Sequence, residues 1–229
     1  MHLTVSSPSM LPVRKPQALR AQVRDLIRSH QRCYTVEEWN NSVNVVAVRG
    51  YYLNSLGQLN KNDRGIYDDA KFIITVDHFS SYNANTDPSL WRSGVATLRA
   101  PQVVTYKPGY HGYNSKYGHQ AFRQRGSVVV HRDGTEDHPV GKSHPRYGKC
   151  IARGLWSDAN CAKFWINDHR GGKTTTSSAG CQTVPPNQWD AYRSTLELLL
   201  ERHQPHLPRT KRWYSYLLVE DPRLVTCHV

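Results

Sequence analysis

Residues 43–52 read VNVVAVRGYY, and this stretch decides the fold class. β-Branched and aromatic residues fill it and Gly50 interrupts it near the end, which is typical of a short strand followed by a turn. Similar short runs occupy 71–76 (KFIITV), 94–98, 102–106 and 127–131, separated by clusters rich in Gly, Pro, Asn and Asp. This pattern predicts a mainly β, α+β domain built as a β-sandwich or small barrel.

Amphipathic patterns predict a helix on either side of these strands. An apolar stripe at i, i+4, i+7 and i+8 starts at Leu19, and the opposite face carries Arg20, Arg24 and Arg28. A second helix is expected after Pro185-Pro186, with one apolar face made by Trp189, Tyr192, Leu196, Leu199 and Leu200. Residues 161–168 (CAKFWIND) and 213–219 (WYSYLLV) predict further strands. We therefore divide the chain into an N-terminal arm with a basic amphipathic helix, 1–42, and one catalytic domain, 43–229.

The charge balance favours anionic partners. Thirty Lys and Arg residues face 18 Asp and Glu residues, giving a net charge of +12. Nucleic acid, acidic lipids and anionic wall polymers all suit such a surface, and so does a basic protein with no charged partner. Since no zinc-finger or helix-turn-helix pattern is present, we do not expect nucleic acid as the partner.

The N-terminus lacks a basic region followed by an apolar one, and no apolar run approaches the ~20 residues that cross a bilayer. We therefore expect a protein made in the cytoplasm without a signal peptide. Its five cysteines are widely spaced and form no CxxC motif, so free thiols are the default and at least one is unpaired in a monomer. Whether Cys150 pairs with Cys161 stays open.

Residues 166–184 (INDHRGGKTTTSSAGCQTV) carry the chemistry. The strand predicted over 161–168 leads to His169, a Gly/Thr/Ser-rich loop follows, and Cys181 comes twelve residues after His169, just before the second helix. A cysteine nucleophile needs a base to take its proton, which predicts Cys181 as nucleophile and His169 as base. Backbone N–H groups of the turn at Ala179, Gly180 and Cys181 are candidate donors to an oxyanion. The alternative is that Cys181 is a buried small hydrophobe and His169 an ordinary turn residue.

The same loop offers candidate substrate contacts. Arg170 is suited to clamp a substrate carboxylate, and the small residue Gly171 would let a substrate backbone approach. Ser177 and Ser178 are candidates for substrate hydrogen bonds, or else hydroxyls that cap the turn. Asp168 is a candidate to orient His169, although neighbours in a strand point to opposite faces.

This segment resembles the catalytic signature of L,D-transpeptidase-like (YkuD-type) enzymes, in which a His followed by Gly and a variable loop lead to a Ser/Thr-His-Gly-Cys turn. Here His169 matches the leading His, and Ser178-Ala179-Gly180-Cys181 matches the turn. With looser similarity upstream, over about 43–220, the chain is most similar to the branch found in bacteriophage endolysins. Two positions depart from the family pattern: Ala179 replaces a second His, and Gln182 follows the Cys.

The resemblance implies a YkuD-like β-sandwich or barrel and a bacteriolytic cysteine peptidase that forms a thioester with peptidoglycan stem peptides near the diaminopimelate L-centre. It further implies no cofactor and no metal, action in the periplasm or cell wall on an anionic envelope, and we expect a monomer.

A secreted antibacterial toxin with L,D-carboxypeptidase or transpeptidase activity is an alternative. So is a zinc peptidase or amidase, since His131, His138 and His144 lie close together with Asp133, Glu136 and Asp137. A non-catalytic binding module for wall or nucleic acid is a third.

Overall fold

The computed structural model describes residue 11 and residues 14–30, 43–52, 64–90, 95–112, 115–126, 128–132, 151–152 and 165–220. Two α-helices and eleven β-strands lie within these residues. The helices are α1 (Arg20–Ser29) and α2 (Pro186–His203), with a short 3₁₀ turn at Arg209–Lys211. The strands are β1 (Asn44–Val48), β2 (Asp69–Ile74), β3 (Phe79–Ala84), β4 (Ala96–Leu98), β5 (Gln102–His111), β6 (His119–Gln124), β7 (Val128–Arg132), β8 (Ile151–Ala152), β9 (Asp168–Arg170), β10 (Gln182–Val184) and β11 (Tyr214–Val219).

Eight of the strands form one sheet, in the order β10-β9-β6-β5-β11-β1-β2-β3. The two edges meet just after β3, where Asn85 and Thr183 exchange backbone hydrogen bonds of 3.0 and 2.8 Å. The sheet is therefore nearly closed, and the prediction of a mainly β, α+β fold is confirmed. A second, three-stranded sheet has the order β4-β7-β8.

The larger core lies on the face of the sheet that packs against α2, called the inner face below. Pro186 occupies the first turn of α2, where its missing N–H costs nothing, and the predicted apolar face of the helix is buried. Strand β5 shows the alternation that one buried face produces: Val104, Tyr106 and Pro108 are buried and their neighbours are half exposed.

The opposite, outer face carries α1. Val23 and Ile27 of this helix join a second apolar cluster with residues of β1, β2 and β11. Because β11 is covered on both faces, it is a continuous buried run rather than an alternating one. The basic face of α1 is partly used within the fold, since Arg20 donates to the carbonyl oxygens of Thr75 and Val76.

The sequence-based elements agree with the structure where periodicity was strong, in α1, α2 and β11. The strand predicted over 161–168 is wrong for 165–167, which belong to no strand, and 161–164 lie outside the described residues. No helix in the described part of the chain is long and apolar enough to cross a membrane.

Candidate functional site

Strand alternation places three histidines on the outer face of the sheet. His111 pairs with His119 across β5 and β6, and Phe122 pairs with Asp168 across β6 and β9. Directly paired residues share a face and sequence neighbours point to opposite faces. His111, His119 and His169 therefore lie on one side, and Phe122 and Asp168 lie on the inner side.

The histidines form a compact group beside Cys181. The rings of His111 and His169 stack with centroids 4.1 Å apart and planes 16° apart, and the His119 ring lies 5.3 Å from that of His169. One side-chain nitrogen from each of His111 and His169 and the sulfur of Cys181 lie within 4.8 Å of one another. The structure thus brings the predicted pair Cys181 and His169 together and adds His111.

The His169 ring is held by a backbone carbonyl. Its Nδ1 donates to the Arg170 carbonyl oxygen at 2.7 Å, so Nε2 carries the lone pair. Nε2 is buried and has no hydrogen-bond partner among the described residues. Burial, followed by the effect of neighbouring His111, lowers the pKa of His169 well below its usual range. His169 is therefore a neutral imidazole with an unoccupied acceptor next to the thiol.

Cys181 is a buried thiol, 8 % exposed. Its sulfur accepts a hydrogen bond from the Asn167 N–H at 3.4 Å and lies 3.5 Å from the Trp165 carbonyl oxygen. Burial raises the pKa of this thiol to about 11, against the lowering effect of the Asn167 N–H. With His169 neutral as well, the resting pair is thiol and imidazole, so proton transfer has to accompany attack.

The turn before Cys181 is held by Ser178. The buried Ser178 hydroxyl accepts from the Gly180 N–H at 3.0 Å and donates to the Cys181 carbonyl oxygen at 2.7 Å. Ser178 therefore caps the turn, as in the second of the two roles considered for it. The Gly180 N–H, a predicted oxyanion donor, is used inside the turn, whereas the Cys181 N–H donates to no group in the described residues. The Ala179 carbonyl accepts from the Ala96 N–H at 3.1 Å, which joins the turn to β4.

Gly180 has a φ of +141°, and a Cβ there would contact the Ala96 carbonyl oxygen. At Gly171 a Cβ would contact the Tyr67 hydroxyl, so the small residue accommodates Tyr67 within the fold. Tyr67 in turn donates to the Gly172 carbonyl at 2.7 Å. The glycines of this loop are required by close packing of the protein itself.

Two predicted substrate contacts are exposed. Arg170 and Ser177 both lie on the surface, and Ser177 adopts a φ of +55°. Ser177 lines a cavity of about 260 Å³ together with Ser178, Ala179, Thr175, Ser89, Leu90 and Val95. This cavity adjoins the nucleophile turn, because Ser178 and Ala179 belong to both.

The suggestion that Asp168 orients His169 is wrong. Asp168 points to the inner face, where its carboxylate accepts from Lys71 at 2.7 Å, from Tyr192 at 2.5 Å and from Tyr214 at 2.7 Å. Both members of the Lys71–Asp168 ion pair are fully buried. Asp168 therefore anchors β9 from inside while the adjacent His169 faces the site.

His111, His169 and Cys181 also have the donor types that zinc prefers. Tetrahedral zinc would need ligand atoms roughly 3.3–3.8 Å apart, closer than the 4.8 Å spread of this group, so the side chains would have to close around the ion. Of the zinc cluster considered from the sequence, His138 and His144 lie outside the described residues. For His131 the structure describes only its backbone pairing with Thr97.

The sequence did not predict that His111, His119 and Asn167 lie beside the catalytic pair. His111 and His119 lie on either side of a Gly- and Tyr-rich segment, which is typical of a hairpin turn. The hairpin pairs the two histidines directly, and this spacing was the one feature of the sequence that could have predicted it. Comparison with known proteins found no matching family model, no matching curated protein and no matching solved structure.

Proposed function

We propose that the chain is a cysteine hydrolase of peptidoglycan stem peptides, of the L,D-transpeptidase-like type found in phage endolysins. The observation that carries this proposal is the pairing of a buried thiol with an imidazole whose Nε2 has no partner in the described structure and whose Nδ1 is held by a backbone carbonyl. A mainly β fold with a nearly closed sheet, and a helix directly after the strand that follows Cys181, supports this proposal.

In this mechanism His169 Nε2 takes the proton of the Cys181 thiol as the sulfur attacks the scissile carbonyl carbon. The carbonyl π electrons move to oxygen, which the Cys181 N–H can stabilise. Collapse of the tetrahedral intermediate breaks the C–N bond, and the departing amine takes the proton from His169. Water, deprotonated by His169, then attacks the thioester carbonyl, and Cys181 leaves as a thiolate that recovers the proton.

Substrate recognition is assigned to the exposed side of the loop. Arg170 is free to contact a stem-peptide carboxylate, and the cavity lined by Ser177 and Ala179 would accept the chain beside the scissile bond. The net charge of +12 suits an anionic envelope. A lysis role, in which the protein reaches the wall from the cytoplasm of a phage-infected host, favours water over an amine as acceptor.

The test is digestion of purified Gram-negative peptidoglycan by wild type, Cys181→Ala and the matched cysteine variant Cys227→Ala, with products identified by mass spectrometry. We expect new peptide fragments from wild type and Cys227→Ala only, and their masses will name the bond. Equal cleavage by Cys181→Ala would overturn the cysteine mechanism, and unchanged peptidoglycan would overturn the substrate.

A metal-dependent hydrolase is the second candidate, because His111, His169 and Cys181 are close enough to converge on one ion. In that case Cys181 would be a ligand, and a chelator would abolish cleavage that added zinc restores. Under the cysteine mechanism a chelator leaves cleavage intact and a thiol-alkylating reagent abolishes it.

A further inference from the structure

The second imidazole of the site, His111, is held in the opposite tautomer from His169. The side-chain nitrogen Nδ2 of Asn167 lies 3.1 Å from His111 Nδ1. An amide NH₂ can only donate, so Nδ1 of His111 must present its lone pair and the ring proton must sit on Nε2. One ring beside the thiol is thus a hydrogen-bond acceptor at Nε2, and the other is a donor at Nε2.

The site needs such a donor. Attack on an acyl carbon places negative charge on the carbonyl oxygen, and preorganised donors stabilise it. The nucleophile turn has committed its Gly180 N–H to Ser178, which leaves the N–H groups of Ala179 and Cys181 from this turn. The His111 ring stacks on the base, and one of its nitrogens lies within 4.8 Å of the attacking sulfur.

We propose that His111 is an oxyanion donor, whose Nε2–H binds the scissile carbonyl oxygen as Cys181 attacks, and that Asn167 is the positioning residue that keeps the proton on Nε2. This assignment rests on the proposed acyl-transfer function and adds a catalytic residue to it.

Asn167 links the two parts of this arrangement. Its backbone N–H contacts the Cys181 sulfur while its side chain contacts His111, so one residue positions both nucleophile and donor. The pKa of His111 is lowered by burial and by the neighbouring His119, so the ring is a neutral donor. The remaining lone pair of this ring, at Nδ1, accepts from Asn167, so His111 does not compete with His169 for the thiol proton.

The decisive comparison uses His111→Phe, which keeps a flat ring and loses the donor, and His111→Gln, whose side-chain amide can restore one. Turnover is measured on peptidoglycan and on p-nitrophenyl acetate, a small ester that also passes through an oxyanion. Loss of one oxyanion donor typically lowers kcat by about 100- to 1000-fold. We expect a loss of that size in His111→Phe on both substrates, and partial recovery in His111→Gln.

Alkylation of Cys181 by iodoacetamide provides the readout that separates this role from a structural one. The displacement forms no oxyanion, so the alkylation rate of His111→Phe should stay within about threefold of wild type. A parallel fall in alkylation and turnover would mean that the substitution disturbs the thiol, and it would overturn the assignment. Equal turnover by wild type and His111→Phe would overturn it as well.

Asn167→Asp tests the positioning role. A carboxylate accepts from Nδ1–H and therefore draws the ring proton away from Nε2. We expect this variant to lose turnover to about the same extent as His111→Phe, and an unchanged rate would overturn the role of Asn167. The matched control is His206→Gln, an exposed histidine in the turn after α2 and outside the site, with turnover expected within about threefold of wild type.

The two proposals fail in distinguishable ways. If Cys181-dependent turnover is seen with the ester but not with peptidoglycan, the proposed substrate is wrong and the ester data alone decide on His111. If wild type and Cys181→Ala process both substrates equally, Cys181 is not the nucleophile, and the assignment of His111 as its oxyanion donor is overturned as well.

Discussion

Removing one partner of the buried ion pair between Lys71 and Asp168 should cause an unusually large loss of stability. Both side chains are 0 % exposed and their charged atoms are 2.7 Å apart. Replacing Lys71 with Met keeps an unbranched side chain, one atom shorter, but leaves the Asp168 carboxylate in the core without its cation. Removing one member of such a pair typically costs about 3–5 kcal/mol, because the remaining charge is uncompensated.

Two tyrosine hydroxyls reduce this cost without cancelling it. Tyr192 and Tyr214 both donate to the second carboxylate oxygen of Asp168 and remain in Lys71→Met. We therefore expect a loss of about 3 kcal/mol in the free energy of unfolding, at the lower end of that range. For a chain of this length it corresponds to a fall in Tm of roughly 6–12 °C.

Urea titration followed by tryptophan fluorescence, with thermal melts alongside, measures both quantities. The matched control is Asp25→Asn, which breaks the exposed Arg28–Asp25 pair and should change stability by less than about 0.5 kcal/mol. In the double variant Lys71→Met/Asp168→Asn the buried charge is gone, so it should be more stable than the sum of the two single losses predicts. Stability of Lys71→Met within about 1 kcal/mol of wild type would refute the reasoning that this pair is charged and buried.

Three further predictions concern the nucleophile turn. Gly180→Ala should destabilise the protein by about 1–3 kcal/mol, because the residue has positive φ and the new methyl group meets a backbone carbonyl, whereas Gly126→Ala, with open space around it, should not. Thermal melts of the two variants compare them, and equal stability would contradict the packing argument. Ser178→Ala should lower the free energy of unfolding by about 1–3 kcal/mol in a urea titration and should also lower turnover, because the Gly180 N–H and the Cys181 carbonyl lose their buried partner. The control Ser177→Ala, at the surface, should change stability by less than about 0.5 kcal/mol. Alkylation of Cys181 should accelerate as pH rises until it levels off near pH 11, since only the thiolate reacts; a plateau already reached at neutral pH would show a resting ion pair instead.

The parts of the fold that could be predicted are those in which burial of one face leaves a periodic pattern of apolar residues in the sequence. Helix α2 buries Trp189, Tyr192 and Leu196 on one face, and the pattern was visible as such. Strand β3 was not predicted because Phe79–Ala84 (FSSYNA) has three half-exposed residues and three buried ones in succession, with polar residues in both groups. Its place in the sheet depends on pairing with β2, a tertiary contact that local propensity does not encode.

The candidate site divides in the same way. Cys181 and His169 were recognisable because one short loop connects them and its composition is unlike a core strand. His111 and Asn167 depend on β9 lying beside β6, which is more than forty residues earlier in the chain and follows no local rule. Which of two adjacent residues faces the site, His169 or Asp168, also depends on that register, since a slip of one residue exchanges the faces.

The parallel pairing of β9 with β10 explains why the site can be built at all. In this register Gln182 lies opposite Asp168, so the residues just before the two strands, Cys181 and Asn167, become neighbours. The Gln182 N–H donates to the Asn167 carbonyl at 2.8 Å, and the Asn167 N–H reaches the Cys181 sulfur. Parallel neighbours need a connection that returns along the strand, and residues 171–181 make it without a helix. Where this loop packs against the rest of the fold, at Gly171, Thr176, Ser178 and Gly180, its residues are small. The Gly/Thr/Ser-rich composition of the loop thus has a structural cause, and the nucleophile lies where the returning chain enters the sheet.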